Sequence, residues 1–270
     1  MQIAYLGYPG TMGAPFIDYI VADRTVIPPE HLAHYSEAPI WLPHSYQATD
    51  DRRPIADRPL RRADVGLPEQ GFVFASFNAS YKITPDLFAI WMRLLVRVEG
   101  SVLWLLGDDA DAAANLRGHA RRHGVDPARL VFAAKLPVAE HLARQRLADL
   151  FLDSFVCNAH TTASDALWAG LPIVTRIGEG FAARVCASLL RAVGLPDLVT
   201  DSAADYERLA FTLATDRAAL DAIRARLAAQ RTAAPLFDST AFARQIEAGY
   251  RAAHARRLAG LPPAPIEIAP

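Results

Sequence analysis

Residues 148–175 read ADLFLDSFVCNAHTTASDALWAGLPIVT, and the rest of the chain is built on the unit they contain. The apolar run at 150–153 has the length and unbroken hydrophobicity of a strand buried on both faces. Helical patterning follows at 162–169, and a second short apolar run at 173–175. Strand, helix, strand with short connections means two parallel strands joined by a right-handed crossover. The same rhythm recurs upstream. Runs at 72–77, 102–106 and 130–134 read as buried strands, separated by amphipathic helices at 85–98, 112–123 and 139–147. The expected fold class is α/β, a Rossmann-like doubly wound parallel sheet. Helical patterns continue over 181–193, 203–215, 217–231 and 240–258, the last reading as a surface helix that closes the domain.

The first 70 residues differ. Strands are expected at 2–6 and 19–22, around a glycine-rich loop, GYPGTMG (7–13). That loop lacks both the lysine of a phosphate-binding P-loop and the spacing of a dinucleotide fingerprint, so it is a tight turn or a backbone that comes close to a ligand. An irregular proline-rich stretch follows and ends in DDRRPIADRPLRR, which has the composition of an interdomain linker. Two strands cannot bury a core. The N-terminal piece is therefore expected to be the edge of something larger, with strands that lack sheet partners.

Composition excludes several function classes. Hydrophobic residues make up 52% and charged residues 21%, enough for a packed core, and the formal net charge of -1 builds no field for nucleic acid. Two cysteines, Cys157 and Cys186, make neither a disulfide framework nor a four-ligand zinc site. No apolar run has membrane-spanning length, and the N-terminus lacks the pattern of a secretory signal, so a cytoplasmic protein without membrane or nucleic-acid partners is expected.

The chemistry concentrates in CNAHTTASDALWAG (157–170). Thr161 and Thr162 fall at the expected helix start, where free N–H groups and the positive end of the dipole suit a diphosphate. His160 can add a donor, and Asp165, one turn in, can bond a ribose hydroxyl. Threonine is also an ordinary helix cap and Asp165 an ordinary dipole partner, so spacing alone leaves both readings open. Of 28 basic residues only Lys82 and Lys135 are lysine, both in loops after expected strands, where open parallel sheets bind ligands. Lys82, in FNASYKITP, would bring a compact ammonium beside the phosphate cradle, with Tyr81 packing on the ligand. The other reading is a solvated loop lysine. His141 and Arg144 share a helix face and can grip a base and its ribose, or form a partly exposed pair. Asp109 and Asp111 have the look of a metal-binding acidic pair, but a first helical turn favours aspartate for dipole reasons alone.

GYPGTMGAPFIDYI (7–20), HYSEAPIWLPHSY (34–46), FNASYKI (77–83), SVLWLLG (101–107), HLARQRLADLFLD (141–153), CNAHTTASDALWAGLPIVT (157–175), GEGFAARV (178–185) and APLFDS (234–239) together resemble the catalytic region of the O-GlcNAc transferase and SPINDLY family. The resemblance implies a GT-B fold and inverting, metal-independent transfer from a nucleotide sugar to serine or threonine of a protein. It implies that Lys82 stabilises the leaving diphosphate, that Thr161, Thr162 and His160 meet the phosphates, and that Asp165 meets the ribose. It makes His141 and Arg144 uridine contacts, puts the backbone of Lys135 and Leu136 against the base, and places Cys157, Leu106, Gly7 and Pro9 around the sugar. Three positions depart from the family pattern: Ala79 replaces a glutamine, Val138 a lysine and Asp108 an aromatic, and these bear on base and sugar identity.

The expected layout is a remnant of an N-terminal catalytic domain plus linker (1–66), a nucleotide-sugar-binding domain (67–238), and a C-terminal helix and tail (239–270). The expected function is transfer of GlcNAc from UDP-GlcNAc to protein, without cofactor or metal. The alternatives are SPINDLY-type fucosyl transfer from GDP-fucose, and a non-catalytic nucleotide-sugar-binding module. Expected partners are the donor, a protein acceptor, and a separate chain carrying the N-terminal domain or tetratricopeptide repeats.

Overall fold

A computed structural model describes residues 1–107 and 109–270; the departure noted at Asp108 lies outside the described residues. The chain opens on three short strands, β1 (Ile3–Ala4), β2 (Tyr19–Asp23) and β3 (Ala38–Leu42). Then the expected alternation begins: β4 (Val73–Ser76), α1 (Pro85–Arg97), β5 (Val102–Leu106), α2 (Ala110–Arg122), β6 (Leu130–Ala133), α3 (Val138–Gln145), β7 (Leu150–Leu152), α4 (Thr161–Ala169) and β8 (Ile173–Arg176). It continues with α5 (Val185–Ala192), β9 (Val199–Thr200), α6 (Ala203–Thr215), α7 (Arg217–Gln230), α8 (Ser239–Leu258) and β10 (Ile266–Glu267).

The second sheet has six strands, all parallel, in the order β6-β5-β4-β7-β8-β9. Its central strands are apolar throughout because helices cover both faces. In α1, Thr84 caps the first turn by accepting from the Leu87 N–H, Pro85 starts the helix, and Leu87, Phe88, Trp91 and Leu95 are buried against the sheet. Fully burying one such side chain contributes about 1.5–3 kcal/mol.

The N-terminal strands are not partnerless, which corrects the expectation for 2–6 and 19–22. They form a parallel sheet in the order β1-β2-β3-β10. The tail supplies the outer strand, pairing Ile266 with Ile40 and Glu267 with Trp41. Nor does α8 merely close the nucleotide-binding domain. It packs on β3, where Gly249 lies so close to Ile40 that a Cβ would fall 2.6 Å from Ile40 Cγ2. Only glycine admits that approach.

One hydrophobic cluster runs through both sheets, joining Ile20, Trp41 and Tyr46 to Phe74, Phe151 and Phe181. At the joint, Asp23 is 1% exposed. Its carboxylate accepts from the N–H groups of Thr25 and Tyr46 and from Ser188 Oγ on α5 at 2.6 Å. Burial raises its pKa, and these bonds only partly offset the shift. Arg184 and Arg191 bond Thr25 from the other side. The linker-like stretch is strapped to the second sheet by Arg62, whose guanidinium pairs with Asp149 at 2.7 Å.

Candidate functional site

In the order β6-β5-β4-β7-β8-β9 the chain runs outward in one direction from β4 and in the other from β7. The crevice beyond the carboxyl ends of these two strands is the topological switch point, where open α/β sheets bind ligands. The loop after β4 holds Asn78, Tyr81 and Lys82; the loop after β7 holds Asp153, Cys157, Asn158 and His160 and runs into α4.

The two loops are locked together. Asp153 is fully buried and accepts from the backbone of Ser154 and Ala159, from Asn78 Nδ2, and from Thr175 Oγ1 at 2.6 Å. Burial pushes its carboxyl up to about 6, against the pull of these bonds. Asn78 Nδ2 also donates to Ser154 Oγ, and Thr162 Oγ1 donates to Asn78 Oδ1 at 2.7 Å. The Lys82 ammonium donates to the carbonyl of Asn158 at 2.8 Å, which places it one loop away from the start of α4.

No side chain caps the N-terminus of α4. The preceding His160 uses Nε2 against the Ala182 carbonyl at 3.1 Å. Burial, with the nearby Lys82 charge, lowers its pKa against the pull of the Ala182 bond. Thr161 is exposed at the first position of the helix. A cavity of about 310 Å³ opens here; Gly7, Tyr8 and Pro9 of the glycine-rich loop line it on one side, His160, Thr161 and Ser164 on another, and Gln47, Thr49 and Arg53 on a third. Leu6, also in the wall, has φ 57, the one positive value outside glycine among the described residues. A side chain there costs about 1–2 kcal/mol, and such outliers gather at ligand sites.

Of the residues singled out from sequence, Gly7, Pro9, His160 and Thr161 share this cavity. Lys82 and Thr162 lie outside its wall: Lys82 bonds Asn158 in the loop that leads into α4, and Thr162 bonds Asn78. Asp165 is engaged by Arg53 and its carboxyl pKa is raised by burial, with the guanidinium opposing. Arg144 is only 2% exposed; it donates to the Ala134 carbonyl and to His141 Nδ1 at 3.0 Å from Nε. His141 is thus an acceptor, and burial and Arg144 hold it down to about 4. Arg144 is buried while His141 is half-buried, so the two bond each other as a partly buried pair. Leu106 ends β5, and Lys135 and Leu136 follow β6, on the same edge of the sheet but outside the cavity wall. Cys157 is half-buried in the loop after β7, and Tyr81 is exposed. The acidic pair has a plain role: Asp109 caps α2 by accepting from the Ala112 N–H.

Asn78, Asp153, Gln47, Thr49 and Arg53 were missed in the sequence. Asn78 directly follows a strand of an open sheet, and that placement marks it. Arg53 sat unremarked inside the linker-like run.

The sheet order, the crevice at β4 and β7, and the uncapped helix facing a second parallel sheet define a GT-B-type fold. Residues 1–58 and 59–246 match the model of glycosyl transferase family 41, and the chain belongs to that family. A probable UDP-N-acetylglucosamine–peptide N-acetylglucosaminyltransferase, SEC, of Arabidopsis thaliana is 39% identical over 257 residues, 93% of this chain and 26% of its own length. The chain thus spans about a quarter of that relative. An O-GlcNAc transferase mutant from Thermobaculum terrenum superimposes with a TM-score of 0.83 at 28% identity, over 93% of this chain and 48% of that one. Sucrose-phosphate synthase from Thermosynechococcus elongatus shares the fold, with a TM-score of 0.62 at 18% identity over 88% of this chain and 59% of that one. No helix among the described residues is long and apolar enough to cross a membrane.

Proposed function

We propose that this chain is the donor-binding part of a cytoplasmic protein O-GlcNAc transferase, taking UDP-GlcNAc as its nucleotide sugar and moving GlcNAc to serine or threonine hydroxyls with inversion and without a metal. The observation that carries this reading is the convergence of Lys82, Thr161 and the uncapped start of α4 at the β4/β7 switch point, with Thr162 bonded to Asn78. Breaking the sugar–phosphate bond builds negative charge on the departing diphosphate. An ammonium, hydroxyls and helix N–H groups fixed around that charge lower the barrier electrostatically. Lys82 serves as a fixed positive charge beside the departing phosphates. The acceptor must be held in register with the donor, and orientation of this kind is worth about 7–11 kcal/mol. The relatives' names, which specify UDP-N-acetylglucosamine and a peptide, support the choice of donor and acceptor.

A second reading rests on coverage. The chain matches 48% of the Thermobaculum structure, so by itself it binds donor and transfers sugar only when joined by the domain, or the chain, that completes the acceptor side. Calorimetry with UDP, GDP, UDP-GlcNAc and GDP-fucose tests the donor: UDP and UDP-GlcNAc should bind, and preference for GDP-fucose would move the assignment to fucosyl transfer. A radiolabelled-GlcNAc transfer assay, with and without an added N-terminal catalytic domain from a family member, tests the second point. Robust transfer by the chain alone would remove it.

A further inference from the structure

The cavity wall opposite α4 is made by residues 47–53, and three of its polar atoms have no hydrogen-bond partner: Gln47 Oε1, Thr49 Oγ1 and Arg53 Nη2. Gln47 and Thr49 are each 6% exposed, and the Arg53 side chain is 13% exposed. Shielding a polar group from water without a bond in return costs about 1–3 kcal/mol, so folded chains rarely leave several in one place. Here they belong to one short segment whose residues line one cavity. Elsewhere around α4 the polar groups of Asn78, Asp153 and Thr162 are paired with one another, although Ser76 Oγ on β4 also lacks a partner.

Arg53 is held firmly for a loop residue. Its Nη1 pairs with the Asp165 carboxylate, and its Nε donates to the Asp50 carbonyl at 3.1 Å. The Trp168 indole donates to the Arg53 carbonyl at 3.1 Å. Asp165 and Trp168 are three residues apart on α4 and share a face. The helix that would receive the diphosphate therefore also fixes the arginine, leaving one guanidinium nitrogen uncommitted. Three groups able to donate or accept, one of them cationic, match the hydroxyls and phosphates of a nucleotide sugar.

We propose that residues 47–53 form a recognition wall for the donor, in which Arg53 meets the nucleotide beside Asp165 and Gln47 and Thr49 meet donor hydroxyls. The inference rests on the donor reading above. It gives Arg53 a direct role in binding, beyond that of counterion to Asp165.

The test is calorimetry of UDP-GlcNAc on the whole chain. Thr49→Val keeps the side-chain shape and should weaken binding about fivefold, with a thermal unfolding midpoint no lower than that of the parent. Arg53→Met alone strands the Asp165 carboxylate and can unfold the chain, so it is introduced in the Asp165→Asn background. There it should weaken binding about tenfold further. If Thr49→Val and the Arg53→Met/Asp165→Asn chain bind as tightly as their parents, while Thr161→Val weakens binding, the donor reading stands and the wall is merely structural. If the unaltered chain binds neither UDP-GlcNAc nor UDP, the donor reading falls and takes this inference with it.

Discussion

Two polar clusters around α4 are built on different principles. At the six-stranded sheet, Asn78, Asp153, Ser154, Thr162 and Thr175 are bonded to one another, although Ser76 Oγ of β4 stands without a partner. On the side of residues 47–53, buried polar atoms stand without partners. A satisfied network holds shape whatever is bound, whereas unsatisfied groups gain only when something arrives. The first cluster is scaffold for the loops that carry Lys82 and His160; the second has the character of a surface made for a ligand. Mutations can separate the two.

The largest effect is expected from Asp153→Ala, which orphans several buried donors at once. It should cost about 3–5 kcal/mol in urea unfolding. A loss below about 1 kcal/mol would mean that the network is not scaffold. Lys82→Ala removes the ammonium's bond to the Asn158 carbonyl and should cost about 1 kcal/mol of stability, yet lower the transfer rate about 10²–10³-fold in any preparation that transfers sugar. Its effect on UDP-GlcNAc affinity should be much smaller, and equal losses in both would contradict a role confined to the leaving group.

The two threonines should divide between the clusters' two characters. Thr162→Val leaves Asn78 Oδ1 without its donor and should cost about 1–3 kcal/mol of stability. Thr161→Val, at an exposed position, should leave stability unchanged and weaken UDP binding by about 1 kcal/mol. The reverse pattern would exchange their roles.

Acid should act on the scaffold through His141. Its folded pKa of about 4 lies below the ordinary 6.5, because burial and Arg144 disfavour the cation. The unfolded chain therefore binds a proton that the folded chain refuses as pH falls from 6.5 to 4, and stability drops across that window. Since the ring is partly open to solvent, the contribution is on the order of 1–2 kcal/mol. Urea unfolding at pH 7 and pH 4.5 should show a smaller acid loss for His141→Gln, and an identical loss would reject the coupling. Thr49→Val should not lower stability and, by removing a buried hydroxyl that has no partner, should raise it by up to about 1 kcal/mol.

The nucleotide-binding sheet was legible because each of its longer strands is an uninterrupted apolar run bounded by an amphipathic helix. The alternation at 72–175 placed β4 to β8 and α1 to α4 within a residue or two of their observed ends. The N-terminal sheet was not. Its central strand, β3, contains Pro39 and is followed by Pro43, and read as irregular. Proline is tolerated there for a geometric reason. Ala38 donates to Asp18 on the β2 side, so the neighbouring position faces the other way, where β10 begins its pairing only at Ile40. β10 is two residues long, and nothing local marks a strand whose partner lies over two hundred residues away. In the site, Thr161, His160 and Lys82 could be found because each sits at a strand end or helix start. Gln47, Thr49 and Arg53 could not, since only the tertiary packing of an irregular segment against Asp165 and Trp168 brings them to the cavity.

The pairing of β10 with β3 also sets a schedule for synthesis. Arg24 and Glu267, which bridge the same sheet at 2.5 Å, are 243 positions apart. A ribosome adding about 5–20 residues per second takes roughly 12–50 seconds to travel between them. Throughout that interval the outer side of β3 offers its backbone to any extended strand nearby, including the same segment of a neighbouring nascent chain. The second sheet needs nothing beyond residue 200 for its strands and can form during the wait. Crowded polysomes and rapid overexpression are therefore the conditions under which this protein is most exposed to mispairing, and slower translation or an early chaperone should raise its soluble yield.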